Sequence, residues 1–281
     1  MKASKKRKTF NGISTVILAL LGFAYIIPIL VVLINSFKKK AFISLQPFNL
    51  PTAKNFIGLE NYRVAIDQYG FLKAVGWTFF ITIGSVFLIL LCTSMCAWFI
   101  TRVKKKVTQA IYFLCVFSMV VPFQMVMFTL SLVADRLKLN TPWGIIIVYL
   151  GFGAGLAVFM FSGFVKSIPI EIEEAALIDG SSPLKMFFSV VLPIMKPTYI
   201  SVGILETMWI WNDFLLPYLV LDINKYKTIP IIIQYMKGSY GRVDMGAIMA
   251  ALIMAVIPVI IFYLSSQKYI IKGVAAGAVK G

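Results

Sequence analysis

Five stretches of this sequence run for more than twenty residues without a charged side chain. They are 9–37, 74–101, 107–134, 139–165 and 245–267, or 29, 28, 28, 27 and 23 residues. A helix needs roughly 20 apolar residues to cross the hydrocarbon of a bilayer. In lipid every backbone N–H and C=O must be bonded within the protein, so helices are the structure open to single segments of this length. A sixth segment, 199–221, is equally apolar except for Glu206 and Asp213. Charged residues make up 14% of the chain and mean hydropathy is +0.89, against roughly 25% charged in a globular domain. The reading is an all-α integral membrane protein with six spans, at about 13–34, 75–100, 110–130, 143–165, 199–221 and 245–264. They form one transmembrane domain over 1–281.

The net charge of +16 comes from 27 Lys and Arg against 11 Asp and Glu. In a soluble domain this would suggest nucleic acid. Here the basic residues flank apolar runs, where they set orientation and meet lipid headgroups, so no nucleic acid is expected. Clusters at Lys2, Lys5, Lys6, Arg7, Lys8 and at Arg102, Lys104, Lys105, Lys106 place both termini in the cytoplasm, although Lys38, Lys39 and Lys40 oppose this. The first apolar run exceeds a signal-peptide core and no small-residue cleavage site follows it, so it should stay as an anchor.

Cys92 and Cys96 lie one helical turn apart, but the chain has no histidine and no third ligand is in view, so no metal is expected. Pro28, Pro122, Pro217 and Pro258 fall within spans and should kink them. Gly151 and Gly155 suit close packing of two membrane helices. The GFGAGL run has Leu156 where a dinucleotide loop needs glycine.

The segment 166–198, KSIPIEIEEAALIDGSSPLKMFFSVVLPIMKPT, reads as two short helices joined by a turn. Glu171, Glu173 and Glu174 sit in the first turns, where the helix dipole favours anions. Asp179-Gly180 supplies the stop, and Ser182-Pro183 the next start. Leu184, Phe187 and Phe188 then form an exposed apolar surface. Such a surface needs a cover: either a groove on a partner protein or the bilayer interface.

Glu174-Ala175-Ala176, Asp179-Gly180, Phe187 and Pro193 resemble the EAA loop of ABC importer permeases, with Ser181 in place of the usual alanine. WNDFLLP at 211–217 is similar to a signature of sugar-importer permeases. PFQMVMF (122–128), LNTPWG (139–144) and the tail 272–281 are similar to segments of maltose-type oligosaccharide permeases. The resemblance implies a six-helix type I importer fold whose EAA loop forms coupling helices docked on a cytoplasmic ATPase dimer. It also implies a second homologous permease, giving a heterodimer, and an extracytoplasmic sugar-binding protein. On this reading the coupling residues are Glu174, Ala175, Ala176, Asp179, Gly180, Ser181, Phe187 and Pro193. The function would be sugar or oligosaccharide translocation across the cell membrane. The chain has no Gly-rich loop ending in Lys-Ser/Thr, so ATP belongs to the separate subunit and no catalysis or cofactor is expected here.

Glu206 and Asp213 are the acids well inside a span, and such groups mark functional sites by default. Either Glu206, Trp209, Asn212 and Asp213 line a sugar pathway, or the acids hold helices together. An ion-coupled secondary transporter using these two carboxylates is the alternative. It leaves the 166–198 loop unexplained.

Overall fold

The computed structural model describes residues 2–238 and 243–278. They form helices throughout: α1 (Lys2–Ser36), α2 (Lys40–Leu45), α3 (Glu60–Asp67), α4 (Phe71–Arg102), α5 (Lys106–Val120), α6 (Phe123–Arg136), α7 (Pro142–Val165), α8 (Ile170–Ile178) and α9 (Pro183–Met186). A π-type turn (Phe187–Val191) leads into α10 (Leu192–Ile194), α11 (Lys196–Asn212), α12 (Leu215–Val220), α13 (Ile229–Met236) and α14 (Met245–Ala278). The side chains of the basic cluster at 2–8, and residues 279–281 of the C-terminal tail, lie outside the described residues.

Four described helical stretches are long and apolar enough to cross a membrane alone: Ser14–Ser36, Phe71–Arg102, Pro142–Val165 and Met245–Tyr269. Two bent pairs bring the number to six if each counts as one span: α5 with α6, at 108°, and Pro183–Ile194 with α11, at 79°. Six spans were expected; the described residues supply four unbroken ones and reach six only with the bent pairs, the second of which begins inside the 166–198 segment.

The break after α5 has a local cause. Pro122 lacks an N–H and disfavours helical geometry in the residue before it. Val121 is accordingly extended (φ −73°, ψ 116°), and α6 restarts after Pro122. Pro28 and Pro258, by contrast, sit inside α1 and α14 without ending them. The fifth span, expected as one helix over 199–221, is continuous only to Asn212. Asp213 is extended (φ −72°, ψ 125°) and α12 begins two residues later.

The chain divides into two compact units, Met1–Leu72 with Ile232–Pro258, and Lys73–Ile231 with Val259–Gly281. In the second unit one apolar cluster runs through Ile81, Ile89 and Ala97 of α4, Tyr149, Ala157 and Phe161 of α7, and Val202 and Ile210 of α11. Phe187, Val191 and Met195 extend it into the α9–α11 connection. In the first unit Asn61 Nδ2 donates to the Ser36 and Lys38 carbonyls at 2.8 and 2.9 Å. Its amide also packs directly on Gly246. Asp244 caps α14, its Oδ1 accepting from Ala247 N at 3.1 Å.

The α7 glycines differ in their surroundings. A Cβ on Gly155 would stand 2.7 Å from the Cys115 carbonyl oxygen of α5, whereas one on Gly151 would meet nothing within 4 Å. Close packing was expected at both and occurs at Gly155. Cys92 is exposed. Gly155→Ala should destabilise the purified protein by about 1–3 kcal/mol through overpacking, while Gly151→Ala leaves it unchanged. Thermal unfolding of both variants in detergent checks this.

The 166–198 hairpin and the carboxylates of the fifth span

The 166–198 segment begins where α7 ends at Val165. Pro169 stands just before α8, and Glu171 and Glu173 occupy its first turn. Asp179, Gly180 and Ser181 close the helix. Gly180 has φ +77°, a left-handed conformation that glycine adopts without strain. Its N–H bonds to the Leu177 carbonyl and that of Ser181 to the Ala176 carbonyl, each at 3.0 Å. This is the Schellman pattern, which satisfies carbonyls left open at a helix end. Ser182 caps α9, its Oγ accepting from Lys185 N at 3.4 Å, with Pro183 as the first helical residue. Leu192 N–H then bonds to the Phe187 carbonyl five residues back, and Pro193 and Pro197, which have no N–H, flank the bend into α11.

Phe187, expected on the exposed face, and Ala176, one of the coupling residues implied by the resemblance, both point inward. Phe187 has no exposed surface and Ala176 is 9% exposed. The Phe187 ring packs 5.5 Å from Trp98 of α4 and 5.2 Å from Phe188. The reason is geometric: the turns of α9 and the π-type segment place Phe187 on the face toward α4. Exposure falls instead on Leu177, Ile178, Leu184 and Phe188, of which Ile178 is 86% exposed. Glu174, Ala175, Asp179, Gly180 and Pro193 are exposed, and Ser181 is half-buried.

Sequence reasoning assigned Glu173 only to the helix dipole, and it carries the tightest polar contact of the hairpin. Arg102, at the end of α4, donates to Glu173 Oε1 from Nε at 2.9 Å and from Nη2 at 2.6 Å. Trp98 Nε1 donates to Oε2 at 2.9 Å. Arg102 Nη2 also donates to the Ile168 carbonyl at 3.0 Å. Glu173 is 5% exposed, so both carboxylate oxygens are met by donors where little water reaches. The sequence signal was available: Trp98 and Arg102 lie one helical turn apart, facing the same way.

In the fifth span the four candidates separate. Asp213 works as a cap, its Oδ1 accepting from Leu215 N at 3.0 Å and Leu216 N at 3.4 Å, while its Oδ2 accepts from the Tyr149 hydroxyl at 3.0 Å. Trp209 meets Tyr149 edge-on at 5.5 Å and remains 41% exposed. Asn212 is exposed and donates back to the Met208 carbonyl at 2.7 Å. Glu206 is 1% exposed. Its Oε2 has no hydrogen-bond partner among the described residues and lies against Gly153 of α7, where a Cβ would stand 3.0 Å away. Trp211, in the WNDFLLP segment, is buried against Phe79 at 4.8 Å.

A family model described as "Binding-protein-dependent transport system inner membrane component" matches residues 89–276. The chain is 38% identical over 273 residues to AmyC of Thermoanaerobacterium thermosulfurigenes, a probable starch degradation products transport system permease protein, covering 97% of this chain and 96% of that one. It is 33% identical to MsmG of Streptococcus mutans, a multiple sugar-binding transport system permease protein, over 94% of this chain and 95% of that one. It is 32% identical to MelC of Bacillus subtilis, a melibiose/raffinose/stachyose import permease protein, over 96% of each. Its fold matches a chain of a bacterial ABC transporter that imports the polysaccharide alginate, with a TM-score of 0.78 at 22% identity, covering 93% of this chain and 96% of that one.

Removing one member of a buried charged pair costs about 3–5 kcal/mol, and the partial exposure of Arg102 places this pair toward the lower figure. Arg102→Met and Glu173→Ala should each lower the unfolding temperature in detergent, while Glu174→Ala, one residue on but exposed, should not. Equal unfolding temperatures for Glu173→Ala and Glu174→Ala would contradict the geometry. On the family model and these relatives, the chain belongs to the binding-protein-dependent transport system inner membrane components, the membrane-embedded permeases of ABC importers.

Proposed function

We propose that this permease carries a sugar or oligosaccharide across the cell membrane, driven by a separate ATPase that receives the α8–α9 hairpin. The observation that carries the reading is the hairpin's outer face: Leu177, Ile178, Leu184 and Phe188 are exposed on a segment whose opposite face is pinned to α4. An apolar surface of this kind, on a rigid mount, fits a groove in a partner protein. The sugar class is supported by the transported solutes in the relatives' names. A second permease subunit and an extracytoplasmic binding protein complete the assembly. One solved structure of similar fold, with a TM-score of 0.62 at 15% identity, belongs to an alginate ABC transporter in complex with an alginate pentasaccharide-bound periplasmic protein.

In this reading both termini and the hairpin lie in the cytoplasm, and the chain catalyses no reaction itself. ATP binding draws the two ATPase subunits together and moves the hairpin. The Glu173–Arg102 pair passes the displacement to α4, and covalent continuity passes it to α7 and α11. Spans tied to one lever tilt together, which opens the pathway on alternate sides. Trp209 and Asn212, the exposed members of the fifth-span group, face the solute, with the indole offered to sugar ring faces.

Cysteines at Ile178 and Leu184 should crosslink to the ATPase in a transporting preparation, whereas cysteine at buried Phe187 should not. Gly180→Pro or Glu174→Lys should leave the protein in the membrane and uncouple ATP hydrolysis from uptake. Trp209→Ala should reduce sugar uptake with unchanged expression and ATPase association. Normal transport by the Gly180→Pro and Glu174→Lys variants would refute the lever.

A further inference from the structure

The loop between α1 and α3 combines two properties rarely left in water together. Residues 37–59 contain Lys38, Lys39, Lys40 and Lys54 and no acid. They also expose five large apolar side chains: Leu45 and Phe48 at 77%, Leu50 at 70%, Phe56 at 53% and Leu59 at 67%. Lys39, Lys40 and Lys54 are exposed beside them.

The loop is held close to the end of α1. Asn35 Nδ2 donates to the Pro47 carbonyl at 2.8 Å, and the buried Lys38 Nζ donates to the neighbouring Gln46 carbonyl at 2.9 Å. Lys39 N–H bonds to the Asn55 carbonyl at 2.9 Å, and Ile57 N–H to the Phe37 carbonyl at 3.0 Å. Both arms are therefore fastened to residues 35–39, where the apolar run of α1 ends. With Ser14–Ser36 as the first span, that end falls where hydrocarbon gives way to water. A loop bonded to the last turn of a span stays near the lipid headgroups.

We propose that residues 39–59 form an interfacial anchor, with the apolar side chains seated in the headgroup layer and Lys39, Lys40 and Lys54 paired with anionic lipid. Aromatic and aliphatic side chains flanked by lysine settle at this depth, where the stems reach apolar surface and the amines reach phosphate. Three exposed lysines without an acid among residues 37–59 match an anionic lipid surface. The anchor would fix the tilt of α1, whose most apolar window has no buried residue.

The test uses the full chain reconstituted in phosphatidylcholine vesicles with and without phosphatidylglycerol. Spin labels go on Phe48→Cys and Leu50→Cys, with Cys92, Cys96 and Cys115 replaced by alanine. Contact with oxygen should exceed contact with a water-soluble nickel chelate. Replacing Lys39, Lys40 and Lys54 by glutamine should lower that ratio several-fold in the phosphatidylglycerol vesicles. Labels that meet the chelate more than oxygen would overturn the proposal by placing the loop in water. Labels shielded from both reagents only when a binding protein or second permease is added would overturn it in favour of a protein interface. Where labelling disturbs folding, Phe48→Trp read by quenching from brominated lipid gives the same decision, and an unquenched indole rejects the anchor.

Discussion

The carboxylate of Glu173 is out of water at the end of α4, and the arrangement of the hairpin follows from how it is met. Two Arg102 nitrogens and the Trp98 indole supply its hydrogen bonds, and a buried carboxylate without them would cost several kcal/mol. Satisfying it fixes α8 against α4. Once α8 is fixed, the Schellman turn at Gly180 aims α9, and α9 drives Phe187 into the cluster beside Trp98. The face left outside is the one that can meet a partner. A single charge-assisted contact thus divides the hairpin into an inner half packed on α4 and an outer half left exposed.

Lipid imposes a second constraint, because a helix interrupted inside a membrane leaves backbone groups that only protein can satisfy. The break at Asp213 is dealt with on the spot. Its Oδ1 takes the first free N–H groups of α12, and Tyr149 takes its other oxygen. The bend before α11 falls between Pro193 and Pro197, where two N–H groups are already missing. Each break thus falls where the freed backbone groups are met by Asp213 or are absent because of proline.

Glu206 differs from Asp213 although both are carboxylates of one short stretch. Asp213 is consumed by backbone and hydroxyl donors, whereas Glu206 Oε2 lies against Gly153 of α7 with no hydrogen-bond donor among the described residues. Equal spacing in the sequence concealed unequal surroundings. Seven residues on an ideal helix share a face, but the helix ends at Asn212, so that face does not continue to Asp213.

Much of the fold was legible because its causes are local or carried by the solvent. Uncharged runs longer than the hydrocarbon is thick demand helices in lipid, Asp-Gly and Ser-Pro punctuate the hairpin wherever it lies, and Pro122 breaks its own segment. Partner choice was not legible. Glu173 and Glu174 are identical residues side by side, and only the packing of α8 on α4 decides which is buried on Arg102 and which is left exposed. Phe187 and Phe188 are divided in the same way, one to the core and one to the surface. The sequence by itself determined which runs are apolar enough for lipid and where the hairpin can turn. The tertiary structure decided which face of each turn is inside, because burial depends on neighbours distant in the chain.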